Sequence, residues 1–248
     1  MLLLLTKFED LFDGTLGDWK TSPVHLELKP GVRPFHTRAY PVPHILYKTL
    51  KKEVNRLVKI GVLKRESDSE YASPSMGIRK PNGTIRVVTD FRGVNKILKR
   101  MPWPLPKIST ILQELEGFRW ATSLDLNMGY YTIHLDPDLQ KICTAIFPWG
   151  KYSYQRLPMG IAGSPDIFQE KMSRLMAELE FVGTYLEDVL CISKGSFDDH
   201  LSKLEKVFVH LTEDGLKCKP PKCKFCAEEV EYLGYLLTRE GIKPQSKK

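Results

Sequence analysis

The chain has 248 residues, of which 42% are hydrophobic and 27% charged. That is enough apolar material for one large domain or two joined lobes, and it excludes a disordered tail or a small scaffold dependent on staples. Lys and Arg outnumber Asp and Glu by 37 to 30, a formal charge of +7. A basic excess of that size suits a nucleic-acid partner as well as an ordinary solvated Lys surface.

Five cysteines (Cys143, Cys191, Cys218, Cys223, Cys226) make an odd number in a chain too long to need a disulfide framework, so a reducing, intracellular compartment is expected. The apolar run at residues 2–5 is too short for the core of a signal peptide. No stretch approaches the ~20 apolar residues of a membrane span, and no membrane partner is expected.

Residues 8–43 mix acids, Gly and Pro without steady periodicity and read as an extended lead-in. A helix is expected over 45–60: Leu46, Leu50, Val54, Leu57 and Val58 recur at three- and four-residue steps, Lys51, Lys52, Arg56 and Lys59 line the other face, and Gly61 stands at the C-terminal cap. Two strands, 75–80 and 84–89, flank Pro81-Asn82-Gly83, where Asn-Gly favours a tight hairpin turn. Pro102, Pro104 and Pro106 mark a lobe boundary.

Further on, strands are expected over 119–126 and 130–135, and a hairpin of 142–147 and 151–156 turns at Pro148-Trp149-Gly150. A helix over 164–179 begins near Ser164 with Pro165 in its first turn. Residues 181–193 read as strand, turn, strand with two acids at the tip, then a helix over 197–214 and final strands near 230–238. This order suggests an α+β fold, an antiparallel sheet with helices packed on one face.

The chemistry lies in acids set within apolar strands. Asp125 sits in Ala121-Thr122-Ser123-Leu124-Asp125-Leu126, and Glu187 and Asp188 lie between Tyr185-Leu186 and Val189-Leu190. A lone strand-end acid is most often a solvated or capping residue, but buried carboxylates are costly unless paired or bound to metal. Carboxylates on neighbouring strands can hold two Mg²⁺ or Mn²⁺ ions, as sites for in-line phosphoryl transfer do.

Six blocks, in order, resemble reverse transcriptases, most closely those of gypsy-type LTR retrotransposon polyproteins. They are Arg79-Lys80-Pro81-Asn82-Gly83; Arg86-Val87-Val88-Thr89-Asp90-Phe91-Arg92-Gly93-Val94-Asn95; Leu124-Asp125-Leu126-Asn127-Met128-Gly129-Tyr130; Leu157-Pro158-Met159-Gly160-Ile161-Ala162-Gly163-Ser164-Pro165; Tyr185-Leu186-Glu187-Asp188; and Tyr232-Leu233-Gly234-Tyr235. The resemblance covers residues 62–241. It implies right-hand polymerase fingers and palm, with a lead-in over 1–43, fingers over 44–118, and a palm over 119–241 that takes in further fingers residues 142–163. The end at 242–248 reads as truncated, without thumb or ribonuclease H.

By this resemblance the chain is an RNA-directed DNA polymerase that uses two Mg²⁺ (or Mn²⁺) ions, an RNA or DNA template with its primer, and deoxynucleoside triphosphates. It would work in the cytoplasm or in element particles, beside other parts of a polyprotein. Asp125, Glu187 and Asp188 match the metal-binding catalytic acids. Lys80 and Arg86 match the residues that grip the triphosphate, Tyr130 the aromatic that excludes a ribose 2′-OH, and Met159 and Gly160 the lining of the nucleotide pocket. Leu233, Gly234 and Tyr235 match the primer grip, and Lys222 the general acid that protonates pyrophosphate.

The family pattern at the hairpin is Tyr-x-Asp-Asp, so Glu187 departs from it by one methylene, and displacement near 1 Å can cost on the order of 100-fold in rate. Two outcomes stay open: an active polymerase domain, or a weakened or inactive remnant that at most binds primer–template. A different class, a structural domain with a zinc knuckle, would draw on Cys218, Cys223, Cys226 and His210. His134 and His200 read as packing or surface residues rather than bases.

Overall fold

A computed structural model of the chain describes residues 1–107 and 117–244. Residues 108–116 of the expected fingers segment and 245–248 at the end lie outside the described residues. The chain divides into two compact units: Met1–Lys20, Pro102–Gly129 and Pro165–Lys248 form one, and Thr21–Met101 with Tyr130–Ser164 the other.

The second unit is built on a five-stranded sheet. Helix α1 (Leu2–Lys7) belongs to the first unit; α2 (His44–Lys59) opens the second and buries Leu50, Val54 and Leu57. It ends as its sequence requires: Gly61 takes φ +74°, its N–H donates to Val58 O, and the Val62 N–H donates to Leu57 O. The last carbonyls are thus satisfied, and buried Val62 follows buried Leu57 into the core.

Strands β1 (Leu63–Arg65), β2 (Ser73–Arg79), β3 (Ile85–Thr89), β5 (Thr144–Phe147) and β6 (Gly150–Tyr154) line up as β1-β6-β5-β2-β3, with β2 and β5 parallel and the other pairs antiparallel. The β2–β3 turn is wider than Asn-Gly suggested. Lys80 accepts from Gly83 N–H, Gly83 alone takes positive φ (+80°), and Asn82 Oδ1 accepts from Thr84, so a type I turn with a glycine bulge replaces a two-residue turn. Helix α3 (Arg92–Ile97) follows β3, and α4 (Pro137–Ile142) precedes β5. Asp136 caps α4, its side chain accepting from Leu139 N–H, so residue 142 is helical and the strand starts at Thr144.

The strand expected over 130–135 is not there. Gly129–Thr132 forms a 3-10 turn, and the alternation of buried Ile133 and Leu135 serves only isolated bridges, with His134 opposite Arg156 and Leu135 opposite Val24. The segment's backbone groups pair with residues 155 and 157 singly, which is too few to run a ladder.

In the first unit, β7 (Val182–Tyr185), β8 (Asp188–Ser193), β4 (Trp120–Asp125) and β9 (Lys224–Ala227) form a four-stranded antiparallel sheet in the order β7-β8-β4-β9. A three-stranded meander, β10 (Glu229–Tyr232), β11 (Tyr235–Thr238) and β12 (Gly241–Pro244), stands beside it. Alternation divides the work of β4 and β8. Thr122, Leu124, Val189, Cys191 and Ser193 face helices α5 (Ser164–Leu175) and α6 (Phe197–Glu213), where Phe168, Met172, Leu204, Val207, Phe208 and Leu211 are buried. Ala121, Leu190 and Ile192 face the other way and pack with Phe118, Val230, Tyr232 and Leu237. Each such buried Leu or Phe contributes about 1.5–3 kcal/mol. Helix α5 stops at Leu175 rather than 179, the remainder being turn.

The expected lead-in is not merely extended. Glu9–Phe12 is a 3-10 turn whose Leu11 is buried, and Phe8 and Phe12 meet Phe208 edge-on. Asp18 N–H donates to Gly215 O, Lys20 N–H to Asp214 O, and Cys218 N–H to Leu11 O, which ties this strap to the end of α6. Gly215, at φ +75°, has no room for a side chain, since a Cβ would come within 2.2 Å of Asp18 O.

Candidate active site

Strands β4 and β8 set Asp125 and Asp188 directly opposite each other, the last pair of their ladder. Both are partly buried on the face away from the helices. Two like charges at that spacing repel. Burial first, and then the Asp125 charge, push the Asp188 carboxyl above its ordinary range, and Lys222 offsets this. The ammonium of Lys222 donates to Asp125 Oδ2 at 2.6 Å.

Lys222 is placed by its neighbours. Lys219 N–H donates to Asp125 O, and a short 3-10 turn, Pro220–Lys222, carries the side chain back to the carboxylate. Next to it Cys218, buried, shares a thiol hydrogen bond with Cys223 that raises the Cys218 pKa and holds Cys223 below its usual value.

The β7–β8 turn is a two-residue hairpin, Leu186-Glu187, between paired Tyr185 and Asp188. Leu186 takes φ +52° and Glu187 does not share the positive φ, the sign pattern of a type II′ turn, in which glycine normally occupies the first place. Leucine there carries strain of about 1–3 kcal/mol. Gln169 of α5, only 1% exposed, holds it: Leu186 N–H donates to its Oε1 at 2.8 Å, and its Nε2 donates to Thr184 O and Oγ1 at 3.3 Å. Sequence reading missed Gln169. Its signal was a polar side chain one step from buried Phe168 on an amphipathic helix.

Glu187 differs from the two aspartates. Its carbonyl accepts from Leu126 N–H, and its side chain lies over Gly129, with Cγ and Oε1 2.9 and 3.0 Å from where a Gly129 Cβ would stand. Among the described residues no group of three or more His, Cys, Asp or Glu is arranged to hold a metal ion, which covers both the three acids and the cysteines of the zinc-knuckle alternative. The facing pair Asp125 and Asp188 does fit a hard divalent cation. Both are oxygen donors of one sign, a cationic Lys222 already sits on one of them, and Mg²⁺ takes one or two carboxylates with water and substrate oxygens completing its shell.

The other expected site residues fall as follows. Leu233 and Gly234, at φ +51° and +83°, form the β10–β11 turn, with Tyr235 at the start of β11, all in the unit that carries the acids. Lys80, Arg86, Tyr130, Met159 and Gly160 belong to the other unit. Lys80 stands at the β2–β3 turn and exposed Arg86 lies on β3 opposite Ile78. Tyr130 is buried in the Gly129–Thr132 turn. Met159 is exposed, and Gly160 has φ +96°.

The two units differ in charge. Thr21–Met101 with Tyr130–Ser164 carries 20 Lys and Arg against 8 Asp and Glu, whereas the rest of the chain carries 17 against 22. The basic excess of the whole chain therefore resides in the unit with Lys80 and Arg86.

An antiparallel sheet presents two facing aspartates beside a strained acidic hairpin. Residues 78–237 match the family described as reverse transcriptase (RNA-dependent DNA polymerase), and the chain belongs to that family. It is 30% identical to the Retrovirus-related Pol polyprotein from transposon opus of Drosophila melanogaster, over 99% of this chain and 25% of that protein. With the polyprotein from transposon 412 of the same organism it shares 34% identity, over 87% of this chain and 18% of that one.

Among solved structures, the foamy viral protease-reverse transcriptase in complex with RNA/DNA hybrid aligns with a TM-score of 0.90 and 26% identity, over 98% of this chain and 33% of that chain. A second form in complex with double-stranded DNA gives 0.91 and 27%, over 98% and 43%. The chain thus spans a quarter or less of these two polyproteins and under half of these two structures. Reverse transcriptases generally use divalent metals. Among the described residues no helix is long and apolar enough to cross a membrane.

Proposed function

We propose that the chain forms the fingers and palm of an RNA-directed DNA polymerase that extends a primer on an RNA or DNA template. The observation that carries this is the facing of Asp125 and Asp188 across β4 and β8 with Lys222 on Asp125. Asp125 and Asp188 would hold the divalent cations; when bound, Mg²⁺ ions would supply the charge neutralisation of an in-line phosphoryl transfer. Lys80 and Arg86 grip the triphosphate, a point charge and a planar fork each suited to phosphate oxygens. Tyr130 fills the space a 2′-OH would need, and Met159 and Gly160 line the nucleotide. Lys222 Nζ gives up a proton to the departing pyrophosphate, and Leu233, Gly234 and Tyr235 position the primer end. The concentration of basic residues in the unit of Lys80 and Arg86 supports contact with phosphate backbones.

Purified protein, a primed RNA template and labelled deoxynucleotides with Mg²⁺ or Mn²⁺ test the reading. Extension that disappears in Asp125→Asn and Asp188→Asn is expected; no extension by either the wild type or Glu187→Asp would refute it.

A second reading, a chain that binds primer–template but extends it poorly, is favoured by the Glu187 side chain lying over Gly129. On that reading Glu187→Asp raises the extension rate above wild type, and equal rates count against it.

A further inference from the structure

The segment from Leu157 to Ser164 has no strand to complete its hydrogen bonds, yet it is held closely. Its ends bond to backbone, Leu157 N–H to Ile133 O and Ser164 N–H to Ile161 O, and its middle is held by one side chain. Asn95, on α3, donates from Nδ2 to Gly160 O at 2.8 Å and accepts at Oδ1 from Ala162 N–H, also at 2.8 Å. A side-chain amide presents the same donor and acceptor as a peptide group, so Asn95 stands in for a missing neighbouring strand. A third bond, Ser164 Oγ to Pro158 O at 2.8 Å, closes the loop at its base.

Asn95 is itself fixed. Its N–H donates to Phe91 O. The start of α3 is set by Asp90, which accepts from Arg92 N–H and the Arg92 guanidinium and from the Tyr40 hydroxyl. Phe91 is buried edge-on against Tyr154. Gly160 runs close by: a Cβ there would lie 3.5 Å from Phe91 Cδ2 and 3.7 Å from Thr89 O, and its φ of +96° is one that other residues rarely adopt. The clamp therefore fixes one conformation of a loop in which Gly160 has several open to it, and leaves the Met159 side chain exposed.

We infer that Asn95 is a positioning residue for the incoming nucleotide: its side-chain amide presets the backbone of Met159 and Gly160, so that nucleotide binding does not have to order this loop. The inference rests on the polymerase reading above, which gives those two residues to the nucleotide pocket. Preorganisation of this kind shows in affinity rather than in the chemical step, because Asn95 meets no reacting atom.

Two measurements on the same proteins test it. Amide hydrogen exchange over residues 157–164 should be faster in Asn95→Ala than in wild type. In Asn95→Asp, which keeps the acceptor for Ala162 N–H but loses the donor to Gly160 O, protection at Ala162 should be retained in part. In steady-state primer extension, Asn95→Ala should raise KM for the deoxynucleotide about tenfold while kcat stays within about twofold, the pattern of a lost binding contribution. Unchanged exchange, or an unchanged KM alongside faster exchange, overturns the inference, as does a loss confined to kcat. Absence of primer extension by both the wild type and Glu187→Asp refutes the polymerase reading and with it the nucleotide role, and exchange at Ala162 then decides the clamp by itself; if only Glu187→Asp extends, the KM comparison is made in that background.

Discussion

His200 joins the two strands that carry the aspartates. It is fully buried on α6, with Nε2 2.8 Å from Thr122 Oγ1 on β4 and Nδ1 3.0 Å from Ser193 Oγ on β8. Thr122 Oγ1 also accepts from Cys226 N–H, and the neutral ring donates from one nitrogen and accepts at the other, so both hydroxyls are bonded in either tautomer. Burial, with Lys203 adding to it and Asp199 opposing, pushes the His200 pKa down to about 4 from 6.5. The unfolded chain therefore takes up this proton first as pH falls. The stabilisation is complete above about pH 6.5 and is lost progressively toward pH 4, to a total of about 3 kcal/mol. Between about pH 7.5 and pH 5 the loss from this one group is about 2 kcal/mol. Urea unfolding of wild type and His200→Gln at both pH values isolates it, since all other groups titrate alike in the two proteins. The wild type should lose about 2 kcal/mol more than the variant across this interval; slopes that agree within about 0.5 kcal/mol would refute the assignment of a neutral, strand-joining histidine.

Gln169→Ala leaves Leu186 N–H without its acceptor and releases the strained turn, so stability should fall by about 1–3 kcal/mol in urea unfolding, and kcat for primer extension by at least about tenfold. Unchanged kcat would show that the hairpin keeps its shape without Gln169. Gly129→Ala drives a methyl to within 2.9 Å of both Glu187 Cγ and Phe168 Cζ, which should cost about 1–3 kcal/mol. The cost should shrink by at least about 0.5 kcal/mol in a Glu187→Ala background, and additivity in the double-mutant cycle would contradict that contact. Lys222→Met removes the ammonium that competes for Asp125, so half-saturation by Mg²⁺ in primer extension should shift to about two- to fivefold lower concentration while kcat falls; an unchanged Mg²⁺ requirement argues against the competition.

The acids and their strands were legible because an Asp within an apolar run is costly and so stands out. Asp125 and Asp188 could each be set in an apolar strand from pattern, the family resemblance joined them in one site, and helix α2 with its glycine cap followed the 3.6-residue period closely. Three kinds of feature were not legible. The segment 130–135 alternates like a strand but lacks a partner of matching length, and only the tertiary context shows that. The direction of the Glu187 side chain depends on the absence of a Cβ at Gly129, a residue distant in sequence. Gln169, Asn95 and His200 are polar residues at ordinary positions of helices, and their importance comes from orphan backbone or hydroxyl groups on other elements. No periodicity carries that information.

The strap that binds residues 11–20 to residues 214–218 bears on the order in which a ribosome releases the fold. Leu11 and Asp18 wait for Cys218 and Gly215, about 200 residues later, which at roughly 5–20 residues per second is a delay of about 10–40 s. For about the last quarter of that interval every segment of the basic unit, Thr21 to Ser164, is already available to pair. The acidic sheet therefore closes after the basic unit can, and its aspartates face one another only once synthesis has passed β8.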